Sequence, residues 1–496
     1  MKLLDKPVTL VAVATAALSF STSAKAATLT IGKNFTGSTF LTDSSATPPD
    51  SMGAVGPSEF VELINGRYSV YNKTTGTSVQ TSTLAEFWEN AGINNLNPLT
   101  LDPRVLYDQA SGRWFASGID LNPSSLANNN LLLAVSNSSD PTAGWKGFAF
   151  PAAPTKTQVA DFPTLGVDAN GVYLSADLLD ATGTELTFTG ATINSIPKAD
   201  ILNSTPTVVN RSSFEISDPN TYGFSRQPAV NFGSSDGREA LLGTQLQLSL
   251  SDISNVFKRS NIFNASTPSA SLSSPVNVTV NSYSDAPNAT QPDGTTDLDT
   301  GDSRFRSFVH QVGNSLWAVH GINADGRAAI RWYEIDKNTN AVLQSSTIGD
   351  PDRDYYYPSI AVNQFGNVVI GFNRSGLTEF VSSYAVVGNT IDGVTTFSSP
   401  ILLKSGVANY SLGNKRWGDY SATTVDPNDP SIFWTIQAVA SAPNTWSTQI
   451  TEIKITTVPE SSSTLGTLTF GVLGSLWMLK RKQKSANRDM SIDGTP

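Results

Sequence analysis

The chain has 496 residues, 39% hydrophobic and only 15% charged, with 32 Lys/Arg against 42 Asp/Glu and no cysteine. That size and apolar content allow a large core and argue against disorder, while the missing cysteines exclude disulfides, thiolate catalysis and thiolate-bound metals. Residues 1–26 and 480–496 hold eight Lys/Arg and three Asp; the remaining body has 24 basic and 39 acidic residues, a net charge of −15 that argues against nucleic-acid binding.

At the N-terminus, Lys2 and Lys6 precede an apolar stretch over residues 8–20, followed by Ala24-Lys25-Ala26. Charged region, apolar region and small-residue site in that order predict a signal peptide over 1–26, cut after Ala26. Residues 27–457 then read as one all-β domain. Short Val, Ile, Leu, Tyr, Phe and Trp runs alternate with Asn, Asp, Gly, Ser and Pro clusters. Residues 84–90 are expected to make a short turn of helix at most.

A repeat organises this body. Asp161-Phe-Pro-Thr-Leu-Gly-Val-Asp-Ala-Asn-Gly-Val-Tyr-Leu-Ser175 matches Tyr356-Tyr-Pro-Ser-Ile-Ala-Val-Asn-Gln-Phe-Gly-Asn-Val-Val-Ile370. Each copy reads as strand, tight Asx/Gly turn and strand. The second copy places the position of Pro163 at Pro358, and looser copies place it at Ser51, Pro103, Pro228, Arg306 and Ser421. Seven units of about 60 residues lie near the period of propeller blades, and radial packing buries sheet faces that one unit leaves open. The expected fold is therefore a single β-propeller of seven blades, with six or eight as alternatives and a pair of β-sandwiches as the competing architecture. Together with Gly112-Arg113-Trp114, the Asp/Asn-Gly hairpins make residues 48–456 resemble the sialidase-like (BNR, Asp-box) class of secreted propellers. No segment carries the full Ser-x-Asp-x-Gly-x-x-Trp box.

Several groups carry candidate chemistry. Gly233-Ser234-Ser235-Asp236-Gly237 matches G-x-S-x-G, but in a hairpin turn rather than a strand-to-helix elbow. The two histidines, His310 and His320, fall in one predicted hairpin. Asp350, Asp352 and Asp354 stand at alternate positions and are the candidate calcium ligands, with Asp297, Asp299 and Asp302 as a second acidic loop. A sialidase-type site, as the resemblance implies, needs arginines around a carboxylate, a tyrosine nucleophile and acidic partners. Arg104, Arg306, Arg353, Arg416 and Tyr356 are the catalytic candidates; Arg226 and Arg304 also lie near blade hairpins. Trp88, Trp114, Trp145, Trp317, Trp332, Trp417, Trp434 and Trp446 are expected to be mostly core, with sugar-stacking platforms among them.

The tail opens with Val458-Pro459-Glu460, passes through Ser and Thr into an apolar run over 465–479, and ends in Lys480-Arg481-Lys482-Gln483-Lys484. This order resembles the PEP-CTERM sorting signal of exported bacterial proteins over residues 458–484, with 485–496 as a cytoplasmic tail. The apolar run is expected to form a transmembrane helix, its basic cluster on the cytoplasmic side, leaving the body at the cell surface or outside the cell. The function expected first is binding of extracellular polysaccharide or a surface partner, with export and sorting machinery as further partners. A glycan-processing hydrolase or lyase and a structural envelope protein are the other two readings; fold alone does not choose between them.

Overall fold

Residues 27–127, 129–153, 157–183, 185–245 and 252–457 are described by the structure, a computed structural model. The expected signal peptide with its Ala26 site, the Val458-Pro459-Glu460 motif and the expected transmembrane helix lie outside the described residues. Among the described residues no helix is long and apolar enough to cross a membrane.

Residues 29–456 form one compact unit. Among the described residues its strands fall into seven consecutive antiparallel modules. The first comprises Gly53–Val55, Glu59–Ile64, Arg67–Asn72 and Ser78–Ser82; the second Leu99–Asp108, Arg113–Leu121, Asn130–Ser136 and Trp145–Pro151. The third begins at Gln158–Val167, the fourth at Phe224–Val230, the fifth at Val309–Val312, the sixth at Arg353–Val362 and the seventh at Ala422–Val425. In every module the strand named first is the inner one. These seven inner strands touch one another in cyclic order, the first against the seventh. The modules thus form a propeller-like ring rather than two facing sheets.

Chain ends close the ring. The seventh module takes its outer strand from Ala27–Thr39, which pairs with Thr445–Thr457. Buried Glu62 of the first module holds this seam, accepting hydrogen bonds from Ser38 N (3.2 Å), Ser38 Oγ (2.6 Å), Tyr71 Oη (2.9 Å) and Thr448 Oγ1. One strand thereby ties the first module to the last.

Each repeat marker lies inside an inner strand or at most three residues before it. The two best copies are hairpins turned by an Asx contact. Asp168 Oδ1 accepts from Asn170 N and Gly171 N, and Asn363 Oδ1 accepts from Phe365 N and Asn367 N. Seven of the eight tryptophans named above are buried; Trp145 is partly exposed. Trp114 packs so tightly against Gly56 that a Cβ there would meet its ring at 2.3 Å. The expected short helix spans Leu84–Asn90, with Thr83 and Glu86 forming a reciprocal cap.

One irregularity recurs where it matters. Asp50, Asp102, Phe162, Ser225 and Tyr357, at the heads of five inner strands, adopt left-handed backbone with φ between 45° and 54°. Around the last four the ladder to the neighbouring strand shifts register as a β-bulge. A bulge leaves backbone groups outside the ladder, and buried groups must find partners elsewhere.

Candidate functional site

Those partners converge at the ring's axis. Arg104, on the second inner strand, is fully buried. Its Nε donates to Pro163 O (3.1 Å) in the third module and its Nη1 to Arg306 O (2.7 Å) at the head of the fifth. Its guanidinium lies 3.5 Å above the ring of Tyr420, at the head of the seventh. Tyr420 returns the contact by donating to Pro103 O (3.0 Å). One arginine and one tyrosine thus join four modules.

An ion-pair network surrounds them. Arg306 Nη2 meets Asp302 Oδ1 at 3.0 Å and its Nη1 meets Asp419 Oδ1 at 3.3 Å. Arg304 binds Asp302 through Nε and Nη2 at 2.6–2.9 Å, and its Nη1 stands 3.7 Å from Asp177. Exposed Arg416 pairs with Asp419. Asp50 Oδ1 in turn accepts from Asp419 N at 2.7 Å. Asp102 and Asp161 are partly exposed, and their carboxyl groups make no hydrogen bond within the described residues.

Charge is distributed unevenly over these acids. Asp302 is held well below the usual carboxylate range: burial alone would raise it, but Arg304 and Arg306 outweigh burial. Asp419 is lowered in the same way by Arg416 and Arg306. Asp102 goes the other way, pushed up to about 8 by burial and by the charges of Asp161 and Asp419. Burial raises Asp177 to about 7 against the pull of Arg304, and burial with Asp419 drives Asp50 well up. Protonated and ionised carboxyl groups therefore stand side by side, the arrangement in which one acid donates a proton or hydrogen bond and its neighbour stabilises charge.

Of the sequence candidates, Arg104, Arg306 and Arg416 come together here, joined by Arg304. Arg353 does not. It pairs with Glu379 (2.8 Å) and Asp350 (3.9 Å) on the sixth module. Tyr356 is buried, donates to Ser375 Oγ (3.0 Å), and has its hydroxyl pushed well up by burial, which leaves it a poor nucleophile. Arg226 is buried apart from this network, its Nη1 bonded to Tyr222 O.

Of the candidate calcium residues, Asp350 and Asp354 are taken by other partners. Asp354 accepts from Thr290 N, Ala328 N and Arg327 Nη1 at 2.9–3.2 Å, whereas Asp350 accepts from Asp352 N. Asp297 pairs with Lys415, and Asp299 accepts from Gly301 N. Among the described residues no group of three or more His, Asp or Glu stands placed to hold a metal ion. Ser235 of the G-x-S-x-G segment sits between two strands of the fourth module, as expected of a turn, and donates to Asp168 Oδ2 (2.7 Å) of the third. The carboxylates at Asp50, Asp102, Asp177 and Asp419 escaped the sequence reading. For Asp50, Asp102 and Asp419 the available signal was their place beside the repeat marker, as in Asp102-Pro103 and Asp419-Tyr420; Asp177, on the following strand, carries no such signal.

No protein family matches the chain, and no curated protein does. Among solved structures it is similar to a protein of unknown function from Dyadobacter fermentans, at 11% identity and a TM-score of 0.39, over 85% of this chain and 99% of that one. It is similar to a sialidase of Trypanosoma rangeli at 8% identity and a TM-score of 0.34, over 90% of this chain and 62% of that one. A puromycin-hydrolysing peptidase of Mycobacterium tuberculosis matches at 12% identity and a TM-score of 0.39, over 78% and 50% of the two chains. The chain thus spans about half to two thirds of the length of these two enzymes. At such TM-scores the likeness carries nothing about activity.

Proposed function

We propose that residues 27–457 form a single seven-bladed β-propeller, exported to the cell surface, that binds the hydroxyl groups of an extracellular polysaccharide at its Arg/Asp mouth. The observation that carries this reading is the division of labour at that mouth. Arg104, Arg304 and Arg306 are engaged by backbone carbonyls, Asp302 and Asp419. The carboxyl groups of Asp102 and Asp161 are partly exposed. Carboxyl oxygens accept hydrogen bonds from sugar hydroxyls, and a protonated Asp102 also donates one. A neutral glycan therefore fits better than a carboxylated sugar, which would have to displace Asp302 or Asp419 from the arginines.

A second reading has its own support. A carboxyl group held protonated to about pH 8, next to ionised Asp419, meets the requirement for a general acid in glycoside hydrolysis. A glycan array and a glycosidase panel on the purified chain separate the two. Saturable binding of neutral glycans without turnover, lost in Asp102→Asn and Asp161→Asn, supports the binding protein. Turnover abolished by Asp102→Asn replaces it with the hydrolase, and no glycan recognition at all removes both.

A further inference from the structure

The opposite end of the ring holds a second feature. A cavity of about 290 Å³ opens on the axis where the inner strands finish. Its walls include Val55, Leu106, Val230, Phe308, Val362 and Val425, one from each of six modules. Phe232 stands at its edge, 42% exposed. Among the described residues lining it, the one charged residue is Asp426, which is already paired with Lys73 Nζ at 2.9 and 3.0 Å and accepts from Trp434 Nε1 at 3.1 Å.

Two of the buried polar side chains that line this chamber carry an atom with no hydrogen-bond partner among the described residues. His310 and Gln311 are each 7% exposed. Burial pushes the His310 imidazole down to about 4, opposed by its hydrogen bond to the Ile360 backbone, so the ring is neutral at physiological pH. Among the described residues its Nε2 has no hydrogen-bond partner. A neutral ring that donates one N–H to the Ile360 carbonyl leaves the other nitrogen as an acceptor. Gln311 donates from Nε2 to Gly313 O (3.1 Å), which fixes the amide orientation and leaves Oε1 as a second acceptor without a partner. Unmet buried acceptors cost on the order of 1–3 kcal/mol each, and a chamber of this size replaces roughly ten waters at about 30 Å³ apiece.

We propose that this cavity is a binding site for a small uncharged molecule with an apolar body and a hydroxyl group, the hydroxyl donating to His310 Nε2 or Gln311 Oε1. Neutrality follows from the paired state of Asp426. The apolar body follows from the six-module wall and the exposed Phe232 ring. The hydroxyl follows from two buried acceptors that have no hydrogen-bond partner among the described residues. The site is separate from the Arg/Asp mouth, at the other end of the inner strands, and does not depend on what binds there.

The test uses 4-ethylphenol, ethylbenzene and 4-ethylbenzoate as probes on the purified chain, by calorimetry and by NMR of ¹⁵N-labelled histidine. Only two histidines give signals, and His320 is already committed to Ser303 O and Tyr333 Oη. The expected result is saturable 4-ethylphenol binding, at least tenfold tighter than ethylbenzene, with the benzoate excluded and the His310 Nε2 resonance shifted. His310→Phe should remove the tenfold preference, and Val425→Phe should abolish binding of both neutral probes. Equal affinity for phenol and hydrocarbon, an unmoved His310 resonance at saturation, or no binding at millimolar probe each overturns the proposal. If the variants fail to fold, the wild-type NMR and the probe ranking decide alone.

Discussion

The Arg104 guanidinium lies 3.5 Å above the Tyr420 ring, and the Tyr420 hydroxyl reaches back 3.0 Å to the carbonyl of Pro103, beside Arg104. These residues are 316 positions apart in the chain, on the second and seventh modules. Their contact closes the axis in the way Glu62 closes the seam. In both places backbone or hydroxyl groups that strand pairing leaves over are met by a side chain from a distant module.

Replacing Arg104 by alanine should therefore destabilise the whole ring. Two buried carbonyls lose their donors at about 1–3 kcal/mol each, and the cation–π contact goes with them. A loss of about 3 kcal/mol is expected in urea unfolding. Arg104→Lys, which keeps the charge but not the planar fork, should lose less. A variant as stable as the parent would remove Arg104 from its axial role.

Glu62→Ala should open the seam before the rest. It strands donors from Ser38, Tyr71 and Thr448, a cost of about 3 kcal/mol if only part is recovered from water. Hydrogen exchange should accelerate first in Ala27–Thr39 and Thr445–Thr457. Uniform acceleration over all seven modules would show that the seam is not a separate weak point.

Stability should be greatest on the acid side of neutrality. Asp102 and Asp177 hold their protons in the fold up to about pH 8 and 7, whereas in the unfolded chain they lose them near pH 4. Between those limits the unfolded state binds fewer protons, so stability falls as pH rises and levels off above about 8. Asp302 and Asp419, held down by Arg304, Arg306 and Arg416, act in reverse: their contribution is present above the unfolded carboxylate range and is lost on acidification. A melting series from pH 3 to 9 should give a maximum near pH 4–5, and the Asp102→Asn/Asp177→Asn double variant should flatten the alkaline limb. A melting point still climbing at pH 8 would contradict this balance.

Glu239 offers an independent test of the same physics. It is 1% exposed, and burial together with the charge of Asp168 drives its carboxyl well up against the pull of Lys337. Keeping it protonated costs more as pH rises. Glu239→Gln, of the same shape and never charged, should raise the melting point, by more at pH 8 than at pH 5. A pH-independent change would assign the effect to packing instead.

Much of the ring was legible because its signals are local. Asp168 and Asn363 turn their hairpins through contacts two to four residues away, so a turn motif in the sequence is the turn in the fold. Pro103, Pro163, Pro228 and Pro358 marked inner strands for the same reason. Arg353 and Tyr356 read well as site residues because they neighbour a marker, yet one is drawn to Glu379 and the other to Ser375 on the adjacent strand. Asp354 read as a cation ligand by its spacing, but three N–H donors fold onto it.

By itself the sequence determined the strand-and-turn repeat, the acidic body and the absence of thiol chemistry, since these depend on residue type and short-range spacing. The tertiary structure alone decided which arginines meet at the axis, which aspartates keep their protons, and that a neutral apolar chamber lies at the other end. Those outcomes depend on burial and on charges brought close from hundreds of residues away, and no short-range pattern encodes that proximity.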